Sequence, residues 1–485
     1  MKSMRLKSTS RPASPTTCSR PGREPCMTRS FPPACQAFLS DLNRSLSLSP
    51  DHIQHMIRDF HLDMEKGLRG RDSSLNMLPS FVDRPEGDER GRFLALDLGG
   101  SHLRVLEVAL HGKGKAEALA LKTFVIPKRE MQETGARLFD FIAACIDRFL
   151  SDCLIDRGKT HDLAFAFSFP FHQTGIASGK LLGWTKGFTA TGVEGRDVVF
   201  LLNEALRRKQ ISCLRVAALT NDTVGALMAA SYSDSTCDMG VILGTGTNAC
   251  YREKQSNIYK LKGRRPKEHM IVNMEWGGFD KARRTSYDMR VDELSVNPGA
   301  MYFEKMVSGM YLGEITRLIL LDAIRRGLVF QDHPNGPDRL HEKHALKAED
   351  MSLIEQDETA GLDKAGAFLN HRGICSTLFD RFFLRRVCQL VSERSIRLSA
   401  GAISAVISWM DPDLAHMHTV AVNGGLFEKY ARYEMRLTKA VSEHCCGQAD
   451  RIRLVYSRDG SGIGAAITAA VAASINTAEP PSFSP

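Results

Sequence analysis

No uninterrupted apolar run in the 485 residues approaches the ~20 that a membrane-spanning helix requires, and the most apolar stretch near the C-terminus is short and alanine-rich. The chain therefore reads as soluble, without an integral membrane segment. Cysteine occurs twelve times but never as CxxC or with histidine at metal-ligand spacing. That argues against a structural zinc site, and Cys145, Cys213 and Cys388, which fall inside apolar runs, read as buried, reduced thiols. No GxxxxGK[ST] run is present, which excludes a Walker phosphate loop. The run SRDGSGIGAA (457–466) spaces its glycines wrongly for the GxGxxG dinucleotide fingerprint. The formal net charge of +8 is concentrated at one end: residues 1–33 hold seven bases and one acid. The remainder is nearly neutral, so nucleic-acid binding by the folded body is not indicated.

A length of 485 residues with 43% hydrophobic and 25% charged content suits a globular chain of two domains or more. Residues 1–33 form a basic, Ser/Pro-rich tail, read as disordered or as a targeting segment; it lacks the apolar core of a secretory signal and resembles a transit peptide in composition. The location that follows is cytoplasmic, or organellar if the tail is such a peptide. Residues 34–87 are expected to be a helical segment, because Ile53, Met56, Ile57, Phe60, Met64 and Leu68 recur every three or four positions after Ser49-Pro50-Asp51.

Then comes FLALDLGGSHLRVLEVAL (93–110): an apolar strand ending in Asp97, a Gly-Gly turn and a returning strand. A second unit of this kind, DMGVILGTGTNACYRE (238–253), follows. With amphipathic helices such as Ala136 to Leu150 between them, the chain is α/β, and two similar hairpins suggest two related lobes. Glycine turns let backbone approach a ligand closely and aim several N–H groups at an anion, for which phosphate is the natural guest. Gly99, Gly100 and Ser101 in one turn and Gly244, Thr245, Gly246 and Thr247 in the other are candidates for that role, with hydroxyls added. Asp97, a carboxylate at the end of a buried-looking strand, is explained by Mg²⁺ reached directly or through water, or by turn capping. The run SRDGSGIGAA opens an alanine-rich helix, read either as tight helix packing or as a nucleotide-facing N-terminus.

LRVAALTNDTVGALMAASY (214–232) reads as a strand, a Thr220-Asn221-Asp222 junction and a helix. Asp222 is suited either to an N-cap or to accepting a hydroxyl proton during phosphoryl transfer, a reaction that needs positioned reactants, a metal and one carboxylate. Segment 326–372 is polar and broken by prolines and glycines, and is assigned no chemistry.

Several runs together resemble the hexokinase family over roughly residues 50–475: LALDLGGSHLRVL (94–106), FSFPFHQTGIASGKLLGWTKGF (167–188), TNDTVG (220–225), ILGTGTNACY (242–251), VNMEWGGF (272–279), VNPGAMYFEKMVSGMYLGEI (296–315) and SRDGSGIGAA. The resemblance implies an α/β, two-lobed actin-like (ribonuclease H-like) sugar kinase fold, with small and large lobes around a cleft. The small lobe is expected over 88–220, the large lobe over 221–475 and a tail over 476–485. It implies ATP-dependent phosphorylation of a hexose at its 6-hydroxyl, feeding glycolysis, with glucose the first candidate and mannose or fructose alternatives. The partners are then hexose and ATP, with Mg²⁺ carried by the nucleotide. Ser168, Thr185 and Lys186 match small-lobe sugar contacts. Asn221, Asp222, Asn248, Glu275 and Glu304 match those of the large lobe. Asp222 matches the catalytic base, and Lys186 is placed to offset developing negative charge. Asp97, Gly99, Gly100, Ser101, His102, Arg104, Thr245, Gly424 and Gly425 match nucleotide contacts, and no direct protein-held metal is expected. Trp184 and Trp276 are read as packing.

Two positions depart from the family pattern. Met301 stands where a sugar-contacting glutamine is usual, and Asn423 replaces an aspartate of the adenosine motif. They are the only features that favour a sugar-sensing regulatory protein with reduced turnover over an enzyme. A chaperone- or actin-like ATPase would share the glycine hairpins but have no reason to carry WTKGF and MEWGGF.

Overall fold

Strand-forming runs of this chain sort into two sheets of the same design. In the computed structural model, residues 31–261, 267–331, 338–444 and 449–478 are described. Their strands, in chain order, are β1 (Leu78–Pro79), β2 (Arg90–Leu98), β3 (His102–His111), β4 (Ala116–Val125), β5 (His161–Phe167), β6 (Phe171–Gly175), β7 (Ser178–Leu181), β8 (Leu214–Thr220), β9 (Cys237–Leu243), β10 (Thr247–Lys254), β11 (His269–Asn273), β12 (His418–Asn423) and β13 (Ile452–Tyr456). The first sheet has the order β4-β3-β2-β5-β8, the second β1-β11-β10-β9-β12-β13, and β6 pairs with β7 alone. In both large sheets an antiparallel meander leads to a central strand, β2 or β9, beyond which the pairing becomes parallel. Apart from the short β1 at its edge, the second sheet repeats the topology of the first, as the two glycine hairpins suggested.

The central strands are mostly apolar and largely buried because both of their faces are covered. In β2 the last five residues, Leu94 to Leu98, are all buried, and Asp97 is among them. The helix that follows each sheet's last strand crosses to the other sheet. Helix Asp222–Ser233, after β8, packs on β9, β10 and β12, while helix Gly460–Ala478, after β13, packs on β2, β3, β5 and β8. The expected large-lobe segment 221–475 thus ends in a helix that lies on the small-lobe sheet, because its alanine face (Ala465, Ala466, Ala469) joins the apolar cluster of Ala95, Ala164 and Ala218.

The two crossing helices touch at glycines. A methyl group on Gly464 would overlap the Gly225 carbonyl, and one on Gly225 would lie 3.0 Å from Ser461 Cα. Backbone is the obstacle in both cases, so Gly464→Ala is expected to destabilise the protein by about 1–3 kcal/mol, despite alanine's better helix propensity. Denaturant unfolding checks this; an unchanged midpoint would show that the crossing can relax.

Helices Pro33–Leu46 and Pro50–Leu68 precede β1. The second is capped by Ser49 and presents the apolar stripe expected of it, Ile53, Met56, Ile57, Phe60, Met64 and Leu68, to the core of the six-stranded lobe. Residues 34–87 are therefore helical only in part, since Leu78 and Pro79 pair with β11. The expectation for the basic tail falls, through residue 30, outside the described residues; Phe31 already packs on Phe379 and Phe383. The C-terminal helix runs to Ala478, beyond the expected start of the tail at 476, and residues 479–485 lie outside the described residues. Segment 326–372 contains two helices, Ala348–Glu355 and Asp363–His371. Among the described residues no helix is long and apolar enough to cross a membrane.

Candidate active site

Side chains from both sheets converge where β2, β8 and β9 end. Asp97 is 3% exposed, and its Oδ2 accepts hydrogen bonds from Arg104 (2.6 Å) on β3 and from the Ser461 hydroxyl (2.9 Å). Burial raises the Asp97 pKa, against the lowering by the Arg104 charge and the Ser461 bond, and the nearby charge of Asp222 adds to the rise. Arg104 also reaches Asp459 at 3.3 Å, so the start of the C-terminal helix is tied to the first glycine hairpin. That turn closes with Gly99 N–H donating to the His102 carbonyl, and a methyl group on Gly100 would press the Lys186 stem at 3.3 Å.

Lys186 sits in the left-handed region (φ 56°). Its Nζ donates to the Ser168 carbonyl at 2.6 Å and lies 5.5 Å from the centre of the Phe169 ring. The loop that carries it is braced by Trp184, which stacks on Phe188, meets Phe169 edge-on and donates its indole N–H to the Ala190 carbonyl. Within the same loop the Thr185 carbonyl accepts from the Phe188 N–H.

Across the cleft, Asn221 caps helix Asp222–Ser233, its Oδ1 accepting from Val224 N–H at 2.9 Å. The capping role left open for Asp222 is thus taken by its neighbour. Asp222 is half-buried in the first helical position, and its Oδ1 accepts from the Thr223 N–H (2.9 Å). Glu275, in the left-handed region (φ 54°), accepts from the Asn273 amide at 2.8 Å and the Asn248 amide at 3.3 Å; Asn248 also donates to Asn273 at 2.8 Å. Glu304, in the first turn of helix Tyr302–Val307, accepts from the Thr247 N–H at 3.0 Å. Thr247 in turn accepts from the buried Trp276 indole. Both tryptophans are packing residues in the structure, as read from sequence.

Burial pushes Glu275 up to about 7; the Asn273 amide opposes this, and the charges of Asp222 and Glu304 reinforce it, with Lys186 pulling it down. Burial likewise raises Glu304, against the Thr247 N–H and the charges of Lys186 and Lys305. Three carboxylates and one lysine thus act on one another across a small space, beside two amides. Such a set recognises a polyhydroxylated ligand, because carboxylates accept from hydroxyls and amides both donate and accept.

The second glycine turn lies against a third. The Gly244 N–H donates to the Gly246 carbonyl, the Gly244 carbonyl accepts from Gly309, and the Thr245 carbonyl accepts from Met310. Gly424 (φ 121°) packs so closely on Leu243 and Gly244 that a side chain there would collide with their backbone, while Gly425 is open. Asn423 spends its amide within the fold, donating to the Ser457 carbonyl at 2.7 Å. His102 bonds to Ser101 at 2.7 Å on the exposed tip of the first turn. The Met301 side chain lies against Gly277, between Glu275 and Glu304 in sequence and beside Glu304 in space.

Among the described residues no group of three or more His, Cys, Asp or Glu side chains is arranged to hold a metal ion. Asp97 commits its Oδ2 to Arg104 and Ser461. Sequence reasoning missed Asn273, Ser461 and Asp459 as members of the cluster, and it placed Thr247 in the phosphate-facing turn and not beside Glu304. Asn273 lay within the quoted VNMEWGGF run and Ser461 and Asp459 within SRDGSGIGAA, but nothing in the spacing said where those runs would dock.

Two family models, each described as hexokinase, match residues 39–232 and 238–471. The chain is 40% identical to Hexokinase-1 of Rattus norvegicus over 87% of its own length and 47% of that protein. It is 40% identical to Hexokinase HKDC1 of Homo sapiens over 92% of its length and 49% of that protein. It thus spans about half the length of the curated relatives it matches. Among solved structures, a hexokinase from Schistosoma mansoni complexed with glucose superposes with a TM-score of 0.82, at 33% identity, over 90% of this chain and 99% of that one.

Proposed function

The chain belongs to the hexokinase family, and from that premise we propose that it transfers the terminal phosphate of ATP to the 6-hydroxyl of a hexose. The observation that carries this reading is the meeting of two glycine hairpins with a cluster of Asp222, Glu275, Glu304 and Lys186. Glucose is the first candidate substrate, because the Schistosoma mansoni relative was solved with it.

In this mechanism Glu275, Glu304, Asn248 and Asn221 hold the sugar from the large lobe, and Ser168, Thr185 and Lys186 hold it from the small lobe. Asp222 accepts the proton of the 6-hydroxyl as the oxygen attacks phosphorus. The turns at Gly99–Ser101, Thr245 and Gly424–Gly425 cradle the phosphates with backbone N–H groups, and Arg104 adds a cation. Mg²⁺ carried by the nucleotide would supply neutralisation of phosphate charge, and Asp97 is the residue that would hold it. Closure of the lobes about the crossing helices excludes water that would otherwise take the phosphate.

Glu275 titrates near 7 and binds hydroxyl donors as the anion, so sugar affinity is expected to fall by up to about tenfold for each pH unit below that point. Glu275→Gln should bind more weakly and flatten the profile. The same raised pKa means the folded protein holds a proton that the unfolded chain, at its ordinary 4.5, releases. This group's contribution to stability therefore declines as pH rises from about 4.5 to 7. At Met301 the thioether can accept only weakly from a hydroxyl and cannot donate to one. Met301→Gln is expected to tighten sugar binding by ~0.5–1.5 kcal/mol, up to about tenfold in Kd.

The test of the function is a rate comparison on glucose, mannose and fructose with Mg-ATP, with the position of phosphorylation read by NMR. Phosphate on the 6-hydroxyl supports the reading. Phosphate on another hydroxyl, or ATP consumed without sugar phosphate, counts against it.

A further inference from the structure

A cavity of about 430 Å³ opens away from the residues assigned to phosphoryl transfer, none of which lines it. Its walls come from helix Pro33–Leu46, the end of helix Ala348–Glu355, the middle of helix Leu378–Met410 and the turn joining Gly425–Lys429 to Tyr433–His444. The volume falls within the range of about 300–1,000 Å³ typical of small-molecule sites. Its charged lining is Arg385, Arg386, Arg432 and Arg436 against Glu355 and Glu393.

Both carboxylates are already committed. Glu355 accepts from Arg436 at 3.2 Å and from the Tyr430 hydroxyl; Glu393 accepts from Arg436 at 2.8 Å and from Arg397 at 3.0 Å. Arg436 is neutralised by this arrangement, and three guanidinium groups remain. Arg385 and Arg386 form no ion pair with any described carboxylate, and the Arg385 Nε is buried without a hydrogen-bond partner. A buried donor left unmade is costly, and Arg385 lines the cavity wall. Arg432, held in the left-handed region (φ 55°), pairs among the described residues only with Glu358, at 3.0 Å, and the two side chains are 71% and 74% exposed. A pair that exposed contributes little and is readily exchanged.

Planar guanidinium forks match phosphate oxygens in a bidentate way, and the neutral amides of Asn43, Gln356 and Gln389 also line the cavity, with Leu390 and Ala431 as its apolar part. We propose that this cavity is a second ligand site, which takes a phosphorylated small molecule. Its phosphate lies on Arg385, Arg386 and Arg432, and its polar remainder meets the three amides. The proposal does not depend on the phosphoryl-transfer reading, because the two sites share no residue.

The test is isothermal titration of the full chain with glycerol 3-phosphate, inorganic phosphate and glycerol. Wild type is expected to bind the ester, to bind inorganic phosphate less tightly and to ignore glycerol. The double variant Arg385→Ala with Arg432→Ala should weaken the ester by roughly tenfold or more, the value of one charge-assisted contact. Arg432→Ala alone, at an exposed turn, should weaken it with an unchanged melting temperature. Arg104→Ala, which alters the nucleotide side only, should leave the ester affinity unchanged. Absence of ester binding, equal binding in the arginine variants, or its loss in Arg104→Ala would overturn the site. Equal affinity for inorganic phosphate would overturn the assignment of an ester.

Discussion

Asp222→Asn is expected to lower kcat by roughly 10²–10⁴-fold, the usual contribution of a positioned general base, while sugar binding persists. Asparagine has nearly the shape of aspartate and can still accept from the Thr223 N–H through its side-chain oxygen, as Asp222 Oδ1 does at 2.9 Å. Asn221 independently caps the helix on Val224, so the local fold does not depend on the charge at 222. What the substitution removes is the ability to take a proton. It also removes one negative charge near Glu275, Glu304 and Asp97, each of which Asp222 pushes upward. The apparent pKa that governs sugar affinity should therefore shift down in this variant. A merely structural role for Asp222 would lower stability and rate together and leave the pH profile in place.

Arg394→Ala is expected to be the most destabilising of the simple substitutions, by ~3–5 kcal/mol. Arg394 and Asp288 form a two-pronged pair at 2.7 and 2.6 Å, with side chains only 1% and 2% exposed. Asp288 also accepts from Thr285, capping helix Ser286–Leu294. Removing the arginine would strand a buried carboxylate that now lies below its ordinary pKa: burial raises it, but the Arg394 charge and hydrogen bonds, with Thr285, more than offset that. A lowered carboxylate contributes stability above its unfolded pKa, and that contribution is lost as pH falls through the folded value. The wild type should lose this part of its stability in acid, and Arg394→Ala should already lack it at neutral pH. Urea unfolding at both pH values checks the sign. The helix matters for the site because Asp292 near its end binds the buried Lys305 at 2.6 Å. Lys305 also donates to the carbonyls of Asn297 and Ala300, which fixes the loop that leads into Met301 and Glu304.

Much of this arrangement was legible because its signals are local. The glycine hairpins at 99–101 and 244–247, the Thr220-Asn221-Asp222 junction and the stripe from Ile53 to Leu68 each lie within a few consecutive residues, where turn chemistry and periodicity operate. What could not be read is long-range. The exchange of helices between sheets depends on Gly225 meeting Gly464, and the phosphate side of the cleft on Asp97 and Arg104 meeting Ser461 and Asp459. No pattern within either run encodes its partner. The assignment of 221–475 to one lobe failed at its last helix for that reason. Asn423 shows the other limit: the sequence marks a lost charge, and only the fold reveals an amide bound to Ser457.

The most direct test of the central claim is to measure sugar 6-phosphate formed from glucose and Mg-ATP by wild type and Asp222→Asn side by side, both saturated with sugar. The account predicts steady product from the wild type and a rate lower by orders of magnitude in the variant. Sugar binding by the wild type without any phosphate transfer under saturating ATP would contradict it.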